Sequence, residues 1–397
     1  CHKTISVGRD RYSKMRILWI GMICILSIIS IHKYIPSLFP ISQTYGAFHY
    51  IHEMRRISQK HEQNISRFRI YTPVSEAMPQ KLPGTVIVVI GESATRDRMK
   101  AFTPSYPSET TPWLSEMKET PYFYLMDKTY SCFPVTVPAL SMFLYGRNQY
   151  DHRNIDDVAN IIDVAHLSGY KTWWMSNQGK MSGEDSPIDF VAQNCDTEQR
   201  TPFPLGDDYQ LLDFVKQLPK NENNFVIIHL MGSHIRYSDR TPPDFKGIDN
   251  PQHDKRTNQY DTTLLYTDHL LRDIYTYAKD HLNLQVMMYC SDHGENMERS
   301  HVASKNMTYD MVRIPFFIYL SPAYTQLYPD TAQTLRENEH KVFTNDLMYD
   351  TISGVLHLPN TDYEPNFDLS SSAYDLKPAD ARTKYGEWTI LDDPDYK

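Results

Sequence analysis

The sequence predicts an α/β fold: a mostly parallel central sheet flanked by helices, preceded by one transmembrane helix. Three observations carry that prediction. Thr85-Val-Ile-Val-Val-Ile90 is an unbroken, largely β-branched run, the signature of a parallel strand buried on both faces. Further strand-like runs follow it and alternate with helical spacing. Upstream, Ile17–Ile31 is an uncharged apolar run of 15 residues.

The elements follow in chain order. The chain begins at Cys1 rather than Met, which reads as a processed product or fragment, or as the lipidated residue of a lipoprotein. Residues 1–16 carry Lys3, Arg9, Arg11, Lys14 and Arg16, so the positive-inside rule makes them a cytoplasmic segment. The run from Ile17 is short for a span, which needs about 18 residues. Beyond His32-Lys33 it resumes to Ile41, and a transmembrane helix over 17–39 is expected. A signal-peptide core and a buried helix are the alternatives, but no small-residue cleavage site follows. Residues 40–84 form a linker: one or two polar surface helices over Ser42–Arg69, then a Pro-bearing stretch over Tyr71–Gly84. Residues 85–397 form one exported catalytic domain.

Within that domain, Asn154–Ser168 has helical spacing at Ile155, Val158, Ile161, Ile162 and Ala165, with Gly169 as a C-terminal cap. Asp207–Leu218 and Tyr260–His281 are amphipathic helices. Tyr170–Met175, Asn224–Leu230, Leu284–Tyr289 and Arg313–Tyr319 are strands.

Composition excludes some classes. A net charge of −9 leaves no basic footprint for nucleic acid. Five cysteines are too few for a disulfide scaffold. In an exported domain Cys132 and Cys195 are available to pair.

Polar residues gather where the strands end. The first strand runs into Gly91-Glu92-Ser93; others run into Ser176-Asn177-Gln178, Met231-Gly232-Ser233-His234 and Ser291-Asp292-His293-Gly294. Open α/β sheets bind ligands beyond the carboxyl ends of their strands. Carboxylates with imidazole are a zinc-type ligand set. The Asp292-His293 pair needs the turn at Gly294 to bring both side chains inward. Taken singly, Asp292-His293 is also a solvated loop, Glu92 a helix cap, and His229 a core histidine.

Ser131–Phe143 holds two nucleophiles, Cys132 and Thr136. Cys132-Phe133-Pro134 looks like the start of the sulfatase pattern C-x-P-x-R, but Thr136 stands where that pattern has Arg. Pro138 suits a helix's first turn, so Thr136 lies at or just before a helix N-terminus that favours an anion. A Thr hydroxyl needs a base or a metal to attack. Glu92, Asp292 and His293 would hold such a metal, with Thr136 as fourth ligand. Otherwise Thr136 is only an N-cap. Cys132 reads as a structural thiol.

The ordered motifs Val89-Ile-Gly-Glu-Ser93, Tyr106-Pro-Ser-Glu-Thr-Thr-Pro112, Ser131-Cys132 with Thr136, Gly169-Tyr-Lys-Thr-Trp173 with Ser176-Asn-Gln178, His229-Leu-Met-Gly-Ser-His234, Tyr260-Asp261 with Tyr266-Thr-Asp268, and Ser291-Asp-His-Gly-Glu295 span nearly all of residues 85–357. The chain thereby resembles the phosphoethanolamine transferases of Gram-negative envelopes, in the alkaline phosphatase/sulfatase-like superfamily. Its Ser-Asn-Gln triplet is more similar to the lipopolysaccharide-core branch. The resemblance implies that Thr136 takes phosphoethanolamine from phosphatidylethanolamine and passes it to a lipopolysaccharide acceptor, a core sugar or lipid A. It implies one zinc ion, or two, held by Glu92, Thr136, Asp292 and His293. It also implies substrate contacts from His234, His301, Asn177 and Lys180, and a monomer in the inner membrane with its catalytic domain in the periplasm. In this chain His301 is followed by Val-Ala-Ser where the family has His-Gly. One span where the family has several suggests truncation. The alternatives are a glycerophosphate transferase or phosphohydrolase of the same fold, a sulfatase, and a catalytically dead binding module.

Overall fold

The computed structural model describes residues 16, 19, 20, 22, 23, 39–69, 83–151, 153–179, 186–202, 207–298 and 307–396. Two compact units result: one reaches Arg56, and the other runs from Ile57 to the C-terminus with a break at 181–186. Most of the 17–39 stretch expected to span a membrane lies outside the described residues. Within it Trp19, Ile20, Met22 and Ile23 are helical and exposed. Among the described residues no helix is long and apolar enough to cross a membrane.

Helix α1 covers Phe39–Ile65, where one or two surface helices were expected. Then come β1 (Thr85–Gly91), α2 (Pro112–Met117), β2 (Phe123–Leu125), β3 (Thr129–Tyr130), α3 (Thr136–Phe143), α4 (Ile161–Leu167), β4 (Lys171–Ser176), α5 (Ser186–Gln193), β5 (Thr197–Arg200), α6 (Tyr209–Val215), β6 (Asn224–His229), α7 (Lys255–His281), β7 (Leu284–Ser291) and β8 (Phe316–Leu320). Helices α8 (Pro322–Leu327) and α9 (Pro329–Asn338), β9 (Phe343–Thr344), α10 (Met348–Val355), β10 (Arg382–Thr383) and β11 (Trp388–Thr389) complete the chain.

Seven strands form the main sheet in the order β2-β8-β7-β1-β6-β4-β5. The five from β7 to β5 are parallel, whereas β8 runs antiparallel to both β7 and β2. The sheet is therefore mixed: mostly parallel, as expected, with β8 running against its neighbours. The sequence shows β8 as a strand but not its direction, because a buried strand has the same composition either way.

Alternation along the central strands explains their unbroken apolar runs. Val86, Val88 and Ile90 of β1 enter one core with Phe225 and Ile227 of β6 and helices α4 and α10. Ile87 and Val89 enter the opposite core with Val226 and Ile228 and helices α2, α6 and α7. Successive strand residues point to opposite faces, so a sheet covered on both sides must be apolar at every position. Each fully buried aliphatic side chain contributes about 1.5–3 kcal/mol.

Helix limits follow capping. The predicted Asn154–Ser168 helix is instead a short 3₁₀ turn, Ile155–Asp157, followed by α4. The break is set by Asn160, whose side chain accepts from Ile162 and Asp163 N–H while the Asp163 carboxylate accepts from Asn160 N–H. Gly169 follows at φ +73°, the left-handed position expected of it. Helix α7 starts earlier than predicted, at Lys255, because Asp254 caps it through Thr257 N–H.

Candidate metal and nucleophile site

The register of the parallel strands assembles the site. Gly91 of β1 pairs with Ser291 of β7, and Ile90 pairs with His229 of β6. Glu92 and Asp292 are the next residues of their strands, so they leave the sheet side by side; Asp292 N–H donates to Gly91 O at 3.0 Å. A turn follows β7. Gly294 is needed there, because a Cβ would stand 2.3 Å from the Asp310 carbonyl oxygen.

Glu92, Asp292 and His293 are buried, and one potential ligand atom from each lies within 4.8 Å of the others. His293 Nε2 is 3.4 Å from Glu92 Oε1 and 3.6 Å from Asp292 Oδ2. His293 Nδ1 lies 2.7 Å from Gly294 O, so it carries the proton and donates, and Nε2 faces the two carboxylates. Asp292 Oδ1 accepts from Ser93 N–H at 3.1 Å and His293 N–H at 2.6 Å. Among the described residues its buried Oδ2 has no hydrogen-bond partner. An orphaned carboxylate oxygen beside a second carboxylate and an imidazole nitrogen is a donor set that fits a divalent cation, and it is costly without one.

Electrostatics point the same way. Burial pushes Asp292 up to about 7, reinforced by the Glu92 charge. Burial would disfavour charge on His293, but Asp292 and Glu92 outweigh it and raise the imidazole to about 10. Burial would raise Glu92 too, yet the hydrogen bond and charge of His293 hold it far below the usual carboxylate range.

Thr136 opens α3. Its N-cap is Val135, which has no side-chain cap, so Thr136 is not the N-cap. Its Oγ1 donates to Glu92 Oε2 at 3.0 Å and lies 3.4 Å from His293 Nε2. It is half-buried, at the mouth of a buried cluster. Cys132 lies away from this cluster, fully buried against Ala139 and Met142. Cys132, Cys195 and Cys290 are free thiols, so the Cys132–Cys195 pairing that the sequence left open is not made. Burial pushes the Cys132 thiol well up, which suppresses thiolate chemistry.

Other residues hold this arrangement. Ser93 adopts φ +56°, a strained position for a non-glycine. It is pinned by its N–H on Asp292, by its Oγ on Glu92 Oε1 at 2.6 Å, and by Tyr260 Oη donating to Ser93 O at 2.7 Å. The Tyr260 motif therefore supports the turn. Its neighbour Asp261 accepts from Tyr106 Oη at 2.7 Å, and Asp268 caps α2 through Trp113 and Leu114 N–H. Asn345 joins two parts of the site: Nδ2 donates to Asp292 O at 2.8 Å and Oδ1 accepts from Cys132 N–H at 2.8 Å. Nothing in its local sequence, a turn after β9, marks it.

The remaining predicted residues divide. His234 is half-buried after β6, and its charge helps hold Glu92 ionised. Its turn depends on Gly232, at φ +50°, where a Cβ would meet Glu92 O at 2.9 Å. Asp208 braces the same turn by accepting from Met231 and Gly232 N–H at 2.9 and 2.8 Å. Asn177 donates to Asp208 at 2.7 Å and accepts from Thr201, so its amide is engaged by the scaffold. Gln178 reaches further in, with Nε2 at 2.8 Å from Leu230 O and 3.5 Å from Glu92 Oε2. His229 is a buried histidine against Trp174, lowered by burial to about 4 and so neutral. Lys180 and His301 lie outside the described residues.

Comparison with known proteins gives concordant matches. The sulfatase family model matches residues 84–358. Phosphoethanolamine transferase EptC of Escherichia coli O18:K1:H7 is 27% identical over 271 residues, covering 62% of this chain and 47% of that protein. The chain thus spans about half the length of the curated relatives it matches. Among solved structures, the C-terminal periplasmic domain of Escherichia coli EptC in complex with Zn aligns at TM-score 0.66 and 24% identity, over 78% of this chain and 90% of that one. The integral membrane lipooligosaccharide phosphoethanolamine transferase A of Neisseria meningitidis aligns at TM-score 0.60 and 19% identity, over 91% and 72%.

Proposed function

The chain belongs to the sulfatase family, and from that premise we propose that it transfers phosphoethanolamine from phosphatidylethanolamine to a lipopolysaccharide acceptor through a phospho-threonine intermediate. The observation that carries this reading is the Thr136 hydroxyl, at the first residue of α3, 3.0 Å from Glu92 and 3.4 Å from His293. The relatives named phosphoethanolamine transferase support the choice of transferred group. A sulfatase would need Arg where Thr136 stands.

Glu92, Asp292, His293 and Thr136 Oγ1 would hold a zinc ion, which lowers the Thr136 hydroxyl pKa and screens charge developing on the phosphoryl oxygens. Thr136 Oγ1 attacks the phosphorus, and its proton leaves through the Glu92 side of the site. The bond from phosphorus to the diacylglycerol oxygen breaks; the proton Thr136 gave up passes to solvent, and the diacylglycerol oxygen takes one from solvent as it departs. An acceptor hydroxyl or phosphate then attacks the phosphorus, and Thr136 Oγ1 is released. First-turn amides of α3, with Pro138 contributing none, face the transferred group with their dipole. His234 approaches the phosphoryl group from the β6 side, and Asn177 fixes the wall it stands on. His301 and Lys180 are assigned substrate contacts from the family resemblance alone. The same reading places a membrane helix over 17–39 and a catalytic domain over 85–397 in the periplasm, acting as a monomer.

Peptide mass spectrometry after incubation with phosphatidylethanolamine and zinc tests the reading. A phosphoethanolamine adduct is expected on Thr136. Bound lipid with Thr136 unmodified would reject it.

A further inference from the structure

A second charged feature lies apart from Glu92, Thr136, Asp292 and His293. A cavity of about 290 Å³ is lined by Lys128, His340, Lys341, Tyr374, Asp375, Lys377 and Tyr396. Three lysines against one aspartate leave a positive surplus, in a chain whose net charge is −9. One of these lysines is already spent: Lys377 pairs with Asp375, while His340 Nδ1 meets Asp127 at 2.7 Å. Lys128 and Lys341 are not. Among the described residues neither ammonium has a carboxylate within ion-pair distance; instead Lys128 stands 5.4 Å from the Tyr396 ring and Lys341 5.7 Å from the Tyr374 ring. Resting a lysine on an aromatic face restricts its rotamers and keeps its charge available. Tyr374 is itself fixed, buried with its hydroxyl donating to Val342 O at 2.5 Å.

We propose that this cavity binds a phosphate group through Lys128 and Lys341. An ammonium is a compact, strongly hydrated point charge that suits phosphate, and two of them suit its two charges. Guanidinium or backbone recognition is not needed. Position gives the pocket a use. Lys128 and Val342 immediately precede β3 and β9, which pair Thr129 with Phe343 and Tyr130 with Thr344. The same two strands lead on to Thr136 and Asn345. Eight residues separate Lys128 from Thr136, a reach of at most about 29 Å. A molecule carrying several phosphates could be gripped here while another of its groups lies at Thr136. The pocket goes beyond the proposed reaction, since it needs neither a metal nor the Thr136 hydroxyl.

Titration calorimetry of the full chain with inorganic phosphate, after EDTA treatment and at low ionic strength, tests the pocket. One site is expected. Lys128→Ala and Lys341→Ala should each weaken it roughly tenfold. Thr136→Ala should leave it unchanged, and added salt should weaken it. The charge-conserving Lys128→Arg/Lys341→Arg pair should bind phosphate, which separates lost charge from lost fold. No phosphate bound, equal binding by the double alanine variant, or loss in Thr136→Ala would each overturn the proposal. A parallel measurement uses phosphatidylcholine vesicles with and without phosphatidylglycerol. Extra binding to the anionic vesicles that vanishes in the double alanine variant identifies a lipid headgroup as the source. Phosphate binding without that extra binding identifies a phosphate borne on a non-lipid molecule. The adduct assay on Thr136 is independent of both.

Discussion

Two halves of one sheet edge use their polar residues differently. Where β1 and β7 end, Glu92, Asp292 and His293 offer ligand atoms within 4.8 Å of one another, and among the described residues Asp292 Oδ2 has no hydrogen-bond partner. Where β4 and β6 end, Asp208 takes donors from Asn177, Met231 and Gly232, and Asn177 in turn accepts from Thr201. The first half leaves acceptor capacity unspent. In the second the Asp208 carboxylate spends its own on holding the backbone, and the buried atom left unpartnered there among the described residues is an imidazole nitrogen, His229 Nε2, with no carboxylate bonded to it. Lying at a strand end therefore does not by itself distinguish chemistry from scaffolding; an unsatisfied carboxylate oxygen that has two further potential ligands beside it does.

The largest test of that contrast is Thr136→Ala. It should lower transfer by roughly 10³-fold or more, as expected when a nucleophile is removed. Zinc binding should survive through Glu92, Asp292 and His293, read as a metal-dependent rise in Tm. Transfer retained at full rate would mean that the unspent acceptors serve another nucleophile.

Metal removal comes next. At free zinc near 100 times its Kd, the folded chain should gain about 2.7 kcal/mol, and Asp292→Asn should abolish the gain. The pH dependence has a definite sign. In the metal-free chain the His293 imidazolium persists to about 10 against an ordinary 6.5. Its stabilisation is therefore complete below 6.5 and lost as pH rises through 10. Asp292 is raised to about 7 from 3.8, so its ionisation on the way up to pH 7 also destabilises the metal-free fold. Zinc displaces protons from both groups. The zinc-induced rise in Tm should therefore grow from pH 6 to pH 9. A gain that shrinks with pH would place the metal elsewhere.

Asp208→Asn probes the other half. An amide cannot accept from Asn177, Met231 and Gly232 together, so the His234 turn should loosen. Transfer is expected to fall roughly 10–100-fold, the range seen for residues supporting a site from outside, with the zinc-induced Tm rise intact. If Asp208→Asn abolishes zinc binding instead, the two halves are one unit.

Much of this was legible in sequence, for identifiable reasons. A buried strand must be apolar at each position, so β1, β6 and β7 announce themselves, and their ends carry Glu92, His234, Asp292 and His293 to one edge. The break before α4 was not legible from periodicity, since Ile155 and Val158 keep the helical spacing while Asn160 caps a new start. Strand direction was hidden for β8. Asn345 and Asp208 were hidden because their partners are backbone groups more than 20 residues away, and no local pattern encodes that. Ser93 was visible only as the neighbour of Glu92; its positive φ belongs to tertiary structure.

The smallest expected effect on rate concerns Cys132. It sits four residues before Thr136, in the place of the sulfatase cysteine, yet it packs with Ala139 and Met142 and points its Sγ toward Ala139 O at 4.0 Å. Cys132→Ser should leave transfer within about twofold, because no reacting atom is touched. The new hydroxyl enters an apolar, fully buried position and should cost about 1–3 kcal/mol of stability, measured by denaturant titration. A folded Cys132→Ser chain with no transfer would move the chemistry from Thr136 to the thiol. It would also show that a buried group with a satisfied, apolar setting can belong to the reactive half of the edge, contrary to the distinction drawn from Asp292 and Asp208.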